Sequence, residues 1–309
     1  MLVFRRIVVP WITAAVLLGA AEPIRPLPRK VDYDAAKAAL GQMLFSDTIL
    51  SKDRKVSCAS CHSFEHGGAD PRPVSIGVDG KKGNIQSPTV FNARYNFRQF
   101  WNGRADSLEE QAGGPIHNPV EMAMDSAVVE KRLNADPYYR KAFRKVFGSP
   151  KISYAQVIAA IVEFEKALVT PDSRFDRFLR GETELTPLEA EGYRRFKELG
   201  CVTCHNGINI GGNSFQKMGI FVPYKYDASA PDRYRVTRNE RHKNVFKVPT
   251  LRNIALTAPY FHNASAQTLE EAVRTMSFHN LGTELSGEDV KAITAFLKTL
   301  TGKVPEILR

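Results

Sequence analysis

Cys58-Ala59-Ser60-Cys61-His62 and Cys201-Val202-Thr203-Cys204-His205 decide the fold, because these two stretches contain all four cysteines of the 309-residue chain. Two thiols three residues apart can reach the two vinyl groups of one haem, and a histidine directly after the second cysteine is placed to ligate the iron. The spacing therefore predicts two covalently bound haem c groups, one on each motif.

A zinc ribbon is the main alternative interpretation, since two C-x-x-C pairs could supply four thiolates to one tetrahedral metal ion. The pairs of such a site usually lie roughly 15–20 residues apart. Here one motif occupies residues 58–62 and the other residues 201–205. This separation disfavours zinc, and a disulfide within each pair is a weaker alternative still.

The N-terminus predicts export from the cytoplasm. Arg5 and Arg6 precede an apolar run from Ile7 to Ala21 that closes on small residues. This order is typical of a secretory signal peptide, here residues 1–21. An uncleaved anchor is the alternative, but about 15 apolar residues fall short of the roughly 20 that span a bilayer. We therefore expect a periplasmic protein, which suits covalent haem attachment beyond the bacterial inner membrane.

The chain without its signal is longer than one hydrophobic core usually holds, so two domains are expected. We predict a first haem domain at residues 22–170 and a second at 171–309, with the boundary at Thr170-Pro171. The formal net charge of +10 is spread along the sequence. This charge suits an acidic redox partner better than nucleic acid, although simple solubility explains it equally well.

Helix signals dominate the sequence. Candidate N-cap residues precede four helical patterns, at Ser153, Thr186, Thr268 and Ser286. By contrast, the segment from residue 91 to 124 is rich in Asn, Gly and aromatic residues and predicts irregular backbone rather than helix. We therefore predict a mainly α fold of two cytochrome c-like haem domains with long loops and little or no sheet.

The sixth ligand of each iron decides whether a haem transfers electrons or reacts. Met276 is the candidate for the second haem, because a thioether ligand favours the ferrous state. Glu121 is the candidate acid–base residue at the first haem, with Gln111 to orient the oxidant, because cleavage of a peroxide O–O bond needs a proton moved between its oxygens. Outside such a context, a helical methionine is more often a core residue and a lone glutamate a surface charge.

Several short motifs in a fixed order closely resemble the bacterial dihaem cytochrome c peroxidases, over about residues 35–302. The resemblance implies an all-helical two-domain protein, usually a homodimer, that reduces hydrogen peroxide to water with electrons from a small cytochrome c or a cupredoxin. The motifs are Phe100-Trp101-Asn102-Gly103-Arg104-Ala105, Ser107-Leu108-Glu109-Glu110-Gln111-Ala112, Asn118-Pro119-Val120-Glu121-Met122, Phe246-Lys247-Val248-Pro249-Thr250-Leu251-Arg252-Asn253, Ala258-Pro259-Tyr260-Phe261-His262 and Leu281-Gly282-Thr283-Glu284.

The resemblance also implies a role for each candidate residue. Trp101, by default a buried packing residue, would lie between the haems on the electron route. The peroxidatic haem would be held by Cys58 and Cys61, with His62 as proximal ligand, Glu121 as acid–base residue and Gln111 beside it. The electron-entry haem would be held by Cys201 and Cys204, with His205 and Met276 as axial ligands.

This chain departs from the family pattern at two places. The family binds calcium between its domains through backbone carbonyls that match Thr257 and Pro259 and through an Asn side chain, and Gln86 stands at that Asn position. We therefore expect a calcium site with one altered ligand. The second departure is Val78, where many members have a histidine that blocks the peroxidatic iron until the other haem is reduced.

Valine cannot ligate iron. Unless His66 or His117 substitutes, we expect a first haem that is five-coordinate or water-bound and that reacts with peroxide without reductive activation. An oxidative maturase of the MauG type is the nearest alternative function, but those relatives replace the distal methionine of the second haem with tyrosine. A non-catalytic dihaem electron carrier is the alternative from a different class.

Overall fold

The computed structural model describes residues 22–309, so the predicted signal peptide lies outside the described residues. The described part is mainly helical, and its one two-stranded sheet pairs β1 with β2 in antiparallel register, as the predicted fold class requires. The strands are β1 (Phe215–Lys217) and β2 (Val245–Lys247). The helices are α1 (Ala35–Ser46), α2 (Leu108–His117), α3 (Ser126–Ala135), α4 (Pro137–Phe147), α5 (Tyr154–Ala167), α6 (Arg174–Leu179), α7 (Pro187–Glu198), α8 (Tyr234–Thr237), α9 (Leu269–Met276) and α10 (Gly287–Lys298).

The predicted helix starts are confirmed where a side chain caps the first turn. Ser153, Thr186 and Thr268 each accept a hydrogen bond from the third helical residue, whose own side chain caps in return. Ser286 caps α10 by accepting from the Asp289 N–H. Such caps satisfy backbone N–H groups that have no partner within the helix.

The prediction of irregular backbone between residues 91 and 124 is wrong over ten residues, because α2 lies there. Gly113, Gly114 and Pro115 have low helix propensity, so propensity alone does not predict this helix. Tertiary packing forms the helix nevertheless, since Leu108, Ala112 and Ile116 bury one face at helical spacing. Ser107 caps it by accepting a hydrogen bond from the Glu110 N–H.

In the first half of the chain, α1 and α5 cross where Gly41 meets the backbone of α5. A Cβ on Gly41 would overlap the carbonyl oxygen of Ala160 and lie 2.8 Å from the Cβ of Phe164. Only glycine allows this approach. The crossing precedes the first cysteine motif in the chain and supports the turn that carries it, because Phe45 of α1 packs against both Phe164 and the ring of His62.

The second half repeats the same crossing between α7 and α10. A Cβ on Gly192 would overlap the carbonyl oxygen of Ala292 and lie 2.9 Å from the Cβ of Phe296. Phe196 of α7 contacts Phe296 and lies near the ring of His205. Each half therefore presents its cysteine motif from an equivalent pair of crossed helices.

Two hydrophobic cores accompany the two crossings. The first contains residues between Leu40 and Leu168, and the second contains residues between Phe175 and Leu300 together with Ile24. Thr170 joins the halves, since its hydroxyl accepts hydrogen bonds from the amides of Asn92 and Asn253. The domain boundary at residues 170 and 171 stays a prediction. Among residues 22–309, no helix is long and apolar enough to cross a membrane.

Candidate haem-binding and redox site

The first cysteine motif forms a tight 3₁₀ turn at Cys58–Ser60. Its start is fixed by the Ser60 hydroxyl, which accepts a hydrogen bond from the Ser57 N–H at 2.9 Å, and its end by the His62 N–H, which donates to the Cys58 carbonyl at 3.0 Å. Burial raises the pKa of the Cys58 thiol to about 12 and also raises that of Cys61. Both sulfur atoms are thus neutral thiols in this environment rather than thiolates poised for a metal ion.

His62 is oriented as a ligand by the backbone that follows it. Its Nδ1 lies 3.2 Å from the Gly68 carbonyl oxygen, and in the tautomer that donates this hydrogen bond Nε2 carries the free lone pair. Burial lowers the pKa of His62, against smaller opposing effects of Gly68 and Asp70. A neutral imidazole with a fixed ring plane is the form that ligates iron.

The second motif also forms a 3₁₀ turn, at Cys201–Thr203, entered through Gly200 at a φ of 86°. Unlike His62 Nδ1, His205 Nδ1 has no hydrogen-bond partner in the described part of the chain. Burial lowers the pKa of His205 to about 4, and the nearby Ile210 carbonyl opposes this shift only partly. Burial also raises the pKa of Cys201 to about 11. Both motifs therefore present a neutral imidazole beside two neutral thiols.

The two C-x-x-C pairs do not converge on one metal ion. Among the described residues, which include all four cysteines, no group of three or more His, Cys, Asp and Glu side chains is arranged to hold a metal. The zinc-ribbon alternative lacks the tetrahedral thiolate set that it requires.

One continuous cavity of about 350 Å³ joins the two halves, which is within the range of natural ligand pockets. His66 and His117 are both exposed and do not line it. Cys58 and Cys61 are the two candidate residues outside its lining. The cavity is lined by the candidates His62, Gln86, Trp101, Gln111, Glu121, Cys201, Cys204, His205, Thr257, Pro259 and Met276.

Glu121 lies in the turn that follows α2, where both the side chain and the backbone of Asn118 form hydrogen bonds with it. The Asn118 side-chain amide donates to Glu121 Oε1 at 2.6 Å, and the Asn118 carbonyl accepts from the Glu121 N–H at 3.0 Å. Burial raises the pKa of Glu121, while the Asn118 hydrogen bond and the positive charge of Arg104 lower it. Burial outweighs the two opposing influences, so the neutral form of Glu121 is favoured more than in an exposed carboxyl group.

Trp101 is fixed between the halves by hydrogen bonds at both its ring and its backbone. Its indole N–H donates to the Gln86 carbonyl at 2.8 Å, and its carbonyl accepts from the Lys247 N–H at 2.7 Å. The rings of Phe246 and His262 stack on each other 4.1 Å apart and meet the indole edge-on, each 6.3 Å away between centroids.

Met276 ends α9 and precedes a π-helical turn at Ser277–Leu281. Its neighbours Ala272 and Val273 are buried, and both line the cavity together with Met276 and His205. The methionine thus faces the same chamber as the second histidine. Ile220 also lines the chamber and is 48% exposed, so this part of the cavity reaches the protein surface.

Three expected calcium ligands, Gln86, Thr257 and Pro259, line the cavity near Trp101. The Gln86 amide nitrogen donates to the Asp70 carbonyl at 3.3 Å, which leaves the side-chain oxygen as an acceptor. Among the described backbone hydrogen bonds outside helices and strands, none ends on the carbonyl of Thr257 or Pro259. Oxygen atoms of this kind are the ligands that calcium prefers.

Val78 is fully buried in the first hydrophobic core. Its N–H donates to the Glu121 carbonyl at 2.8 Å, so the loop lies directly against the Glu121 turn. A Cβ on the preceding Gly77 would overlap the Val120 carbonyl oxygen, which shows how closely the two segments pack.

Comparisons with known proteins agree with this geometry. The family profile described as di-haem cytochrome c peroxidase matches residues 35–184, and the cytochrome c profile matches residues 189–301. The cytochrome c551 peroxidase of Nitrosomonas europaea is 49% identical over 95% of this chain and 88% of its own length. This chain belongs to the dihaem cytochrome c peroxidase family.

Two further relatives are a cytochrome c peroxidase and a MauG-like protein. The cytochrome c peroxidase Ccp of Escherichia coli is 47% identical over 91% of this chain and 61% of its own length. The crystal structure of a MauG-like protein associated with microbial copper homeostasis superimposes with a TM-score of 0.81 at 30% identity, over 93% of this chain and 95% of that one.

The predicted fold class and enzyme class of this dihaem peroxidase are confirmed: it is a mainly α oxidoreductase with two cytochrome c-type halves that carry haem c. The residues fit that cofactor. Each half offers a neutral imidazole directly after two neutral thiols, beside a shared cavity with largely apolar walls.

Sequence reasoning assigned no role to four polar residues of the peroxidase site. Asn118 and Arg104 were part of the recognised motifs, as was Lys247, whose pKa burial lowers to about 8. Glu165 could have been found from periodicity, since it lies four residues after Ile161 on the apolar face of α5. All four lie near the cavity because the fold brings together chain segments that are distant from one another in sequence.

Proposed function

We propose that the protein reduces hydrogen peroxide to water at the first haem, with electrons that enter through the second. One observation supports the proposal: a single cavity is lined by Trp101, by His62, Glu121 and Gln111 of the first half and by His205 and Met276 of the second half. The chemistry of the two halves differs, because the first offers an acid–base carboxyl group beside an orienting amide and the second a thioether.

In the first half, a haem bound to Cys58 and Cys61 would supply the electrons and the coordination site for cleavage of a peroxide O–O bond. His62 would hold its iron through Nε2, because Nδ1 is oriented toward the Gly68 carbonyl. Glu121 takes a proton from one peroxide oxygen and returns it to the other, and Gln111 orients the substrate. The raised pKa of Glu121 suits this task, because a base must also act as the acid.

In the second half, His205 and Met276 would hold the iron of the other haem, and Trp101 would lie on the electron route between the two groups. Electrons come from a small cytochrome c or a cupredoxin. Three exposed apolar residues support this donor: Ile220, which lines the cavity, its neighbour Phe221, whose N–H donates to the His279 carbonyl, and Phe278, which precedes His279. An apolar patch within a basic surface is suited to brief encounters with an acidic redox protein.

With these residues, the first haem would be five-coordinate or water-bound in the diferric protein and would need no reductive activation. This proposal rests on Val78, which is buried and cannot ligate iron, and on the exposed positions of His66 and His117. Calcium binds near Trp101 through Gln86, Thr257 and Pro259. The protein is a periplasmic homodimer, exported by residues 1–21.

A MauG-type maturase is the second candidate function, and it is favoured by the similarity to a MauG-like structure at 30% identity. Two observations favour the peroxidase. The two named peroxidases are 47–49% identical to this chain, and Met276 stands where the maturases carry tyrosine. A non-catalytic carrier would not need the buried acid–base residue Glu121.

The substitution Glu121→Gln tests the proposal, because the amide keeps the size of the side chain and cannot exchange a proton. We expect peroxide turnover to fall by about 10²–10⁴-fold, with haem content and the spectrum of the second haem unchanged. Glu65→Gln, at an exposed position of the same half, is the matched control and should turn over normally. Undiminished turnover in Glu121→Gln would show that the assigned role is wrong.

A further inference from the structure

Glu165 is a buried carboxyl group that the proposed reaction does not yet use. It lies on α5, is 3% exposed, and lines the same cavity as Glu121 and His62. Its Oε2 is buried without a hydrogen-bond partner in the described part of the chain. Burial of an unpaired carboxylate is unfavourable, so the neutral acid is the stable form of Glu165.

The charged groups around Glu165 reinforce this neutral state. Glu109, on α2, is the charged group whose repulsion adds to burial in raising the pKa of Glu165 to about 8. The neighbouring Lys166 is turned toward Glu163 and Glu109 instead, at 2.9 and 3.8 Å. Among the ion pairs of residues 22–309, none includes Glu165, and the charge that Glu165 carries when ionised adds to burial in raising the pKa of Cys58 in the first haem motif.

The internal repeat shows that the fold does not require a carboxyl group here. Glu165 follows Phe164, the residue that meets Gly41 at the first helix crossing, and Leu297 follows Phe296, which meets Gly192 at the second. Both Glu165 and Leu297 are buried and both line the cavity. The electron-entry half thus has an apolar side chain where the peroxidatic half has an ionisable one.

We propose that Glu165 is a proton-holding residue of the first haem pocket, a carboxylic acid that supplies a proton to the pocket during turnover and is reprotonated from solvent afterwards. This inference rests on the proposed function. Reduction of one peroxide molecule to two waters consumes two electrons, which the redox donor provides, and two protons from solvent. Glu121 moves a proton between the peroxide oxygens without net change, whereas Glu165 loses its Oε2 proton and later regains one.

Potentiometry of the first haem as a function of pH tests the inference independently of turnover. If reduction of the haem is coupled to uptake of a proton, the equilibrium constant for reduction falls as pH rises, by up to tenfold per pH unit. This corresponds to a shift in the reduction potential of about 59 mV for one electron. We expect this dependence in the wild-type protein and its loss in Glu165→Gln. Glu165→Asp should restore it, and Glu165→Leu, which reproduces Leu297, should lack it while folding normally.

Infrared difference spectra recorded on reduction provide a second readout, because a protonated carboxylic acid has its own carbonyl stretch. We expect a carboxylic-acid band that changes in wild type and is missing in Glu165→Gln. The inference is overturned if the variant keeps the wild-type pH dependence, or if its band is still present. Such a result would leave the peroxidase proposal intact, since that proposal stands on the Glu121→Gln experiment.

Discussion

Asn118 controls the charge of Glu121, and its removal should shift the pH range in which the enzyme works. The Asn118 side-chain amide donates to Glu121 Oε1 at 2.6 Å, and this hydrogen bond lowers the pKa of Glu121. The substitution Asn118→Ala removes the donor and leaves burial as the dominant influence. The carboxylate then forms at higher pH than in the wild-type protein.

The size of the change in Glu121 ionisation follows from the strength of a hydrogen bond to a charged group. A hydrogen bond to a charged group contributes about 1.5–3 kcal/mol, and about 1.4 kcal/mol corresponds to a tenfold change in a protonation equilibrium. The fraction of Glu121 that is ionised on the acid side should therefore fall by about tenfold to a hundredfold. The sign is fixed, because loss of a donor always disfavours the charged form.

The assay is kcat/KM for peroxide as a function of pH, which reports ionisations of the free enzyme. The acid limb of the profile should move to higher pH in Asn118→Ala, while the rate on the high-pH plateau is kept within a few-fold. Asn263→Ala is the matched control, because Asn263 also caps a turn but lies at an exposed site with Tyr224 and Ser265. An acid limb that stays in place, or moves to lower pH, would refute the electrostatic role of Asn118.

Three stability predictions follow from the packing. Gly41→Ala should destabilise the protein by about 1–3 kcal/mol or more through overpacking at the α1–α5 crossing, whereas Gly287→Ala, with open space around its Cβ position, should be nearly neutral in chemical denaturation. Asp176→Asn should cost about 3–5 kcal/mol, because it leaves the fully buried Arg252 guanidinium without its charged partner; Asp79→Asn, at an exposed ion pair, is the control, and equal costs would contradict the argument. The raised pKa of Glu165 means that the folded protein holds more protons than the unfolded chain between pH 4.5 and about 8, so stability falls with rising pH in this window by about 1.4 kcal/mol per pH unit. Urea unfolding of Glu165→Gln should lack this fall, and an unchanged pH dependence would show that Glu165 is not protonated in the folded state.

Short sequence signals predicted those features of the fold that depend on interactions between residues close together in the chain. Each C-x-x-C-H motif indicated a histidine placed to ligate iron, and the caps at Ser153, Thr186 and Thr268 marked helix starts that the structure confirms. Such features depend on residues three or four apart. The helix at α2 was missed for the same reason, because its Gly-Gly-Pro segment is unfavourable locally and is stabilised only by burial of Ile116 and its neighbours.

The residues of the site could be predicted from the sequence only where they belong to a recognisable motif. Glu121 and Gln111 were identified from a family pattern, whereas Asn118 became informative only when its amide was found 2.6 Å from Glu121. Periodicity could have indicated the burial of Glu165, but the lack of a partner for its Oε2 and its position at the cavity are properties of the packed structure. The equivalence of Glu165 and Leu297 likewise became visible once both helix crossings had been compared.

The spin state of the diferric protein tests the central claim that the two haems are unequal and that the first is open. We predict one high-spin or water-bound haem and one low-spin haem in the electron paramagnetic resonance spectrum before any reduction. On the same sample, peroxide turnover should proceed without a lag whether or not one electron has been added beforehand. Two low-spin haems in the diferric state, together with an absolute need for pre-reduction, would contradict the account.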